Sequence, residues 1–319
     1  MKRKFTFGLR YIKKGMISKL NEIIESIMKK NFKFNTDVKI LVITDDSTKR
    51  LGTTFFNSLK ELGWDSELNI MSDRKKSGEE PTPEIAKNIL KYKIVFCLTR
   101  HSLTHTVARK KANEKGISFI TMPGITEDMF INGAINANYE KVEEKTLKMS
   151  EKLTNHTKII IKTKDNKLTI PIGDRISLSS TGVFHKLGDS GNLPSGEAYV
   201  APLEYQANGD IEINGSISGI GLLNSPIKLT IEKGRLIAAT GVKGDELLKI
   251  LGDGEGRILA EFGIGTNFAA RITGNILEDE KANNTIHIAF GSNHTFGGVV
   301  KTDVHIDCVT QSPQLEWIV

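Results

Sequence analysis

Cysteine is nearly absent from this chain. Cys97 and Cys308 are the two in 319 residues, each sits in a strand-like apolar run, and they lie far apart in sequence. Such a pair excludes a disulfide framework and reads as buried, inert thiols. Long apolar runs are missing too: nothing approaches the roughly 20 residues that span a bilayer. The N-terminal MKRKFTFGLRYIKKGMISKL interrupts its apolar residues with Lys and Arg throughout, unlike the continuous apolar stretch of a signal peptide. A cytoplasmic protein without membrane contact is expected. Arginine is outnumbered by lysine, and no aromatic–basic motif accompanies the net charge of +6. The lysines lie beside glutamates on amphipathic segments, which reads as a basic surface rather than a nucleic-acid interface. Internal repeats are absent. GIGTN (263–267) lacks the G-x-G-x-x-G spacing, the lysine and the long following helix of a phosphate loop.

What is present is the composition of a soluble globular protein, 39% hydrophobic and 26% charged. The length suits two domains, each with its own core. Residues 11–33 place Ile12, Met16, Leu20, Ile23, Ile24 and Ile27 at helical spacing. Strand-like runs then alternate with helical patterns up to about residue 154. Strands are expected at 37–44, 65–71, 93–99 and 117–121, and helices over about 51–62, 83–91, 106–115 and 139–154. That alternation predicts an α/β domain, a parallel sheet flanked by helices. From Lys158 short strands and tight turns dominate, such as 159–161, 168–170, 198–200, 211–213 and 227–231. Only residues 245–251 are expected to be helical there. The boundary is expected near residue 157, with a β-rich α+β domain over 158–319.

Chemistry concentrates at the end of the chain. His287, His294 and His305, three of the seven histidines, fall within it beside Glu261, Glu278, Asp279, Glu280 and Asp307. In VVKTDVHIDCV the branched apolar residues suggest a strand, so His305 and Asp307 share a face about 7 Å apart along the chain. TIHIAF (285–290) alternates in the same way around His287. Imidazole nitrogen and carboxylate oxygen together suit a borderline divalent cation such as zinc. A lone histidine in a strand is more often a satisfied core or surface residue, and the acidic EDEK run (278–281) reads as a solvated turn. In the first domain, His101 and His105 follow a strand and open a helix, the edge at which parallel sheets bind ligands. There Ser102, Thr104 and Thr106 serve equally as helix caps.

Four stretches in order carry a resemblance: NLPSGEAYVAP (192–202), AEFGIGTN (260–267), TIHIAFG (285–291) and HID (305–307). Together they resemble the aminopeptidase T and aminopeptidase S family of metallopeptidases, which shares a superfamily with the iron-dependent 2,5-dihydroxypyridine dioxygenases. Similarity is strongest over about 180–310 and extends loosely through SLTHT (102–106) and MPGIT (122–126). The resemblance implies a pair of divalent metals (Zn, Co or Mn) held by Glu197, Glu261, His287, His305 and Asp307. It also implies that Glu261 bridges them, and that a further glutamate corresponds loosely to Glu280. At the position of a family tyrosine seven residues past the central histidine stands His294, the expected oxyanion donor in its place. The dioxygenases hold one iron on two histidines and a carboxylate, with the extra histidine at the position of Glu261. The implied function is a metal-dependent aminopeptidase or hydrolase of small amides, and a homodimer. The alternatives are an Fe(II) dioxygenase of a small hydroxylated ring compound, with His105 lining the pocket, or a family member without peptidase activity.

Overall fold

The computed structural model describes residues 19–319. Ile12 and Met16 of the expected first helix lie outside the described residues. Helix α1 (19–26) runs into a π turn at Ile27–Asn31, with Leu20, Ile23, Ile24 and Ile27 buried.

The chain divides into two compact units: 1–140 with 182–194, and 141–181 with 195–319. In the first, strands β1 (Ile40–Asp45), β2 (Ser66–Met71), β3 (Ile94–Leu98) and β4 (Ser118–Thr121) are joined by helices α2 (Lys49–Glu61), α3 (Pro83–Ile89) and α4 (Val107–Glu114). The strands form an all-parallel sheet in the order β2-β1-β3-β4. β1, β3 and β4 are buried at every residue, as a parallel sheet covered on both faces requires. Gly63 ends α2 at φ +93, a left-handed turn that glycine adopts without strain. Thr82, Thr106 and Thr126 cap α3, α4 and α5 (Glu127–Ile131) by accepting backbone N–H groups.

The division falls at 140/141, in the first turn of helix α6 (Tyr139–Thr154), rather than near residue 157. The reason lies in the helix's inner face. Leu153 is part of the second unit's core, Met149 packs against it, and Thr146 Oγ1 bonds Val142 O and Thr266 Oγ1. The first unit also takes back residues 182–194. The two-residue strand β8 (Gly191–Asn192) extends the parallel sheet beyond β4, and Leu193 N donates to Thr121 O.

The second unit contains two antiparallel sheets. One has six strands: β5 (Lys158–Thr163), β6 (Asn166–Pro171), β10 (Asn208–Ile213), β13 (Ile227–Glu232), β14 (Arg235–Thr240) and β18 (Gln314–Ile318). The expected turns appear as tight connections, with Lys164 and Lys233 at positive φ. The other sheet runs β12-β11-β17-β16-β15-β9-β7. Its strands are β7 (Leu178–Ser180), β9 (Glu197–Val200), β11 (Ser216–Ile217), β12 (Gly221–Leu222), β15 (Leu259–Gly265), β16 (Thr285–Gly291) and β17 (His305–Gln311). Helix α7 (Gly244–Leu251) contributes Leu247 and Leu251 to the shared core. No described helix is long and apolar enough to cross a membrane.

Candidate metal centre

The seven-stranded sheet has two unlike faces, and the period-two alternation of its strands sets them. One face carries Ala198, Val200, Phe262, Ile264, Ile286, Ile288, Phe290 and Cys308, all in the hydrophobic core. Alternate residues on the other face are Glu197, Glu261, His287, His305 and Asp307. Register aligns them: Glu261 and Asp307 both pair with Ala289, Gly263 pairs with His287, Gly265 with Glu197, and Gly291 with His305. Small residues at 263, 265, 289 and 291 leave the space that the ionisable side chains fill. A β-carbon at Gly263 would stand 2.1 Å from His287 Nε2.

Glu261 is central. Its Oε1 lies 3.1 Å from His287 Nε2 and its Oε2 lies 3.4 Å from His305 Nε2, which is also 3.4 Å from Asp307 Oδ1. One ligand atom each from Glu261, His305 and Asp307 lie within 4.8 Å of one another. Two ligands of a tetrahedral ion at about 2.1 Å would stand about 3.4 Å apart, so these three fit a divalent cation. The orientation of His305 supports the fit. Its Nδ1 donates to Ser292 O at 2.8 Å, which leaves the Nε2 lone pair facing two carboxylates. That arrangement favours a cation between them, and a backbone partner behind the ring is how ligand imidazoles are held.

His287 is fully buried, with Nε2 3.6 Å from Glu197 Oε2. Among the described residues its Nδ1 has no hydrogen-bond partner. Burial works against charge on both rings, but the carboxylates prevail. The hydrogen bond to Glu261 and the charges of Glu197, Glu261 and Glu280 raise His287 to about 9. Asp307 and Glu261 raise His305 well above its ordinary value. Burial pushes Glu261 up, yet bonding to both imidazoles holds it well below the usual carboxylate range.

The EDEK run is not a solvated turn. Glu278, Asp279 and Lys281 are fully buried and Glu280 is mostly so. Asn275 caps the short helix α8 (Ile276–Asp279) by accepting from Leu277 N. Asp279 accepts from Thr273 N at 2.7 Å and Gly274 N at 2.8 Å, while Glu278 pairs with Arg271. The turn thereby delivers Lys281 Nζ to Glu280 and to Glu197 Oε1, 3.3 Å away. Burial raises Glu280 to about 8, and the charges of Glu197 and Asp307 add to the rise against the opposing pull of Lys281 and His287. Residue type alone gave no signal for a buried lysine here. A backbone bridge between Asn267 and Ala282 creates the environment.

His294 is exposed, with Nδ1 2.9 Å from Ser292 Oγ and its backbone N–H on Val300 O. His105 belongs to the first unit, exposed in the turn ahead of α4, where Thr106 is the cap. His101 precedes it in the same loop, its carbonyl accepting from Thr99 Oγ1. Phe296, which no sequence pattern marked, packs edge-on against both His305 and Tyr199. Cys97 and Cys308 are free and buried.

The family model for thermophilic metalloproteases (M29) matches residues 70–304. Among solved structures, the 2,5-dihydroxypyridine dioxygenase of Pseudomonas putida superposes with a TM-score of 0.78 at 16% identity, covering 94% of each chain. Wild-type AmpT from Thermus thermophilus superposes with a TM-score of 0.68 at 15% identity, covering 94% of this chain and 95% of its own. At these identities the two structures establish the shared fold. No curated protein matches the chain.

Proposed function

The chain belongs to the thermophilic metalloprotease (M29) family, and from that premise we propose that it is a metal-dependent aminopeptidase, removing N-terminal residues from peptides or cleaving small amides. The observation that carries this reading is the Glu261–His305–Asp307 triad, with His305 Nδ1 tied back to Ser292 O and Nε2 facing both carboxylates. Glu261, His305 and Asp307 would hold a divalent ion, and Glu197 and His287 border it. Zinc, cobalt and manganese all suit one nitrogen and several carboxylate oxygens.

A bound ion supplies Lewis-acid polarisation of the scissile carbonyl and a reactive water. The chain's own residues do the rest. Glu280 keeps its proton to about pH 8 because it is buried among Glu197 and Asp307, so near neutral pH it can take up and return a proton at its carboxyl oxygens. The carboxylates of Glu197 and Glu261 present negative charge suited to a substrate α-ammonium. Phe296 and Tyr199 give an aromatic wall beside His305. His105 and His294 enter as further candidates for substrate contact, with His294 the proposed oxyanion donor. A homodimer is the proposed assembly.

The dioxygenase alternative requires a histidine where this chain has Glu261, and the carboxylate there favours hydrolysis. The test is a panel of aminoacyl amides and short peptides with zinc-, cobalt- or manganese-loaded protein, beside oxygen uptake with Fe(II) and hydroxylated pyridines. Release of the N-terminal residue supports the reading. Oxygen uptake without amide cleavage reverses it.

A further inference from the structure

The second positive charge of this centre is built into the chain. Lys281 is fully buried, and its ammonium lies between Glu280 and Glu197 Oε1. Its backbone is fixed there. Asn267 N donates to Lys281 O at 2.9 Å and Asn283 N to Asn267 O at 3.0 Å. A β-carbon at Gly265 would meet Ala282 O at 2.0 Å, so β15 reaches this turn only because glycine stands at that position. A buried ammonium persists where a carboxylate pairs with it, and Glu197, the carboxylate it engages, is one that a second dication in the same space would need.

His287 adds an independent observation. An imidazole that ligates a metal donates its other N–H to an acceptor behind it, as His305 does to Ser292 O. Among the described residues, His287 Nδ1 has no such acceptor, while Nε2 lies 3.1 Å from Glu261 Oε1. The ring is therefore arranged to donate through Nε2 to Glu261, a bond that a metal on Nε2 would abolish. Among the described residues one group of three donors has metal-ligand spacing, Glu261 with His305 and Asp307. Three protein ligands and an open position is the pattern of a catalytic ion.

We infer that the centre takes a single divalent ion, on Glu261, His305 and Asp307, and that the Lys281 ammonium stands in the place of a second, with Glu197 its partner and His287 the hydrogen-bond donor that orients Glu261. This rests on the proposed metal-dependent function, and metal counting separates the two. Full-length protein is titrated with Zn2+ or Mn2+, desalted, and counted by native mass spectrometry and elemental analysis. One ion per chain at saturation is expected. Two per chain overturns the inference and leaves the metal-dependent function standing, whereas none overturns that function as well. Lys281→Met frees Glu197 and Glu280, and two ions per chain are expected; a folded variant that still takes one overturns the role of Lys281. Should that variant fail to fold, the wild-type count still decides, together with His287→Gln. That substitution is expected to weaken metal binding by about 10–100-fold, as loss of a ligand's hydrogen-bonding partner does, and to leave one ion per chain at saturation. Complete loss of the ion in His287→Gln overturns the inference.

Discussion

Gly263 and His287 face each other across β15 and β16, and the histidine ring occupies the volume that a side chain on residue 263 would need. Strand β15 gives up a side chain there so that the imidazole can lie beside Glu261. Gly263 is not in a left-handed conformation, so the cost of adding a methyl group is a clash with the ring and not backbone strain. Gly263→Ala is expected to displace His287 by about an ångström, misplace Glu261 and lower kcat/KM by about 100-fold, while the β-sheet signal in circular dichroism stays intact. Wild-type kinetics in the variant would show that the ring has room to spare.

The turn at 271–281 makes a second claim. Asp279 accepts from two backbone N–H groups and from Thr273 Oγ1, so Asp279→Ala removes the one acceptor that these three donors share at the half-buried turn. The expected loss is on the order of 1–2 kcal/mol, measured by urea unfolding. A neutral substitution would mean that the turn is held by Asn267 alone.

Much of this architecture is written locally. Apolar runs bounded by caps gave β1, β3 and α6, and the alternation of TIHIAF and VHIDCV put His287, His305 and Asp307 on one face, because a pleated strand has no other way to present them. Glu261 and Glu197 were identifiable through the family resemblance, since nothing in AEFGIG alone distinguishes a ligand from a solvated carboxylate. Lys281 was not readable. EDEK has the composition of a surface turn, and its burial comes with bonds to Arg271 and Thr273 a few residues upstream and to Asn267 just past the end of β15, none of which residue type announces. The return of 182–194 to the first unit was hidden for a related reason: a two-residue strand, Gly191–Asn192, carries no periodicity. The boundary expected near 157 missed that α6 buries Leu153 in the core of the unit that follows it.

Glu261 receives His287 on one oxygen and faces His305 with the other. Glu261→Gln keeps the shape, removes the charge and replaces one acceptor by a donor. As a direct ligand it should cost more than the roughly 100-fold in metal affinity that loss of an outer partner brings, and hydrolysis should vanish with the metal. Calorimetric titration with Zn2+ decides it. An affinity within tenfold of wild type would remove Glu261 from the ligand set.

Proton release on metal binding follows from the electrostatics of the cluster. In the metal-free protein His287 holds its proton to about pH 9, above its ordinary 6.5, and His305 is raised as well. A raised histidine contributes stability that is complete below its unfolded value and is lost as pH rises through its folded value. Here that window runs from about 6.5 to about 9. Glu280, raised from 4.5 to about 8, slopes the same way, because its protonated form is the one the fold prefers. The metal-free protein should therefore melt at progressively lower temperature from pH 6 to pH 9. Metal binding has the opposite dependence: it requires the unprotonated His305 ring, so affinity should climb by up to about tenfold per pH unit for each proton displaced. Calorimetry at pH 7 in buffers of different ionisation enthalpy should show at least one proton leaving per ion bound. A metal-free melting temperature that rises over this range, with a buffer-independent binding enthalpy, would mean that the imidazoles are neutral before the ion arrives and that the carboxylates around them are compensated by something else.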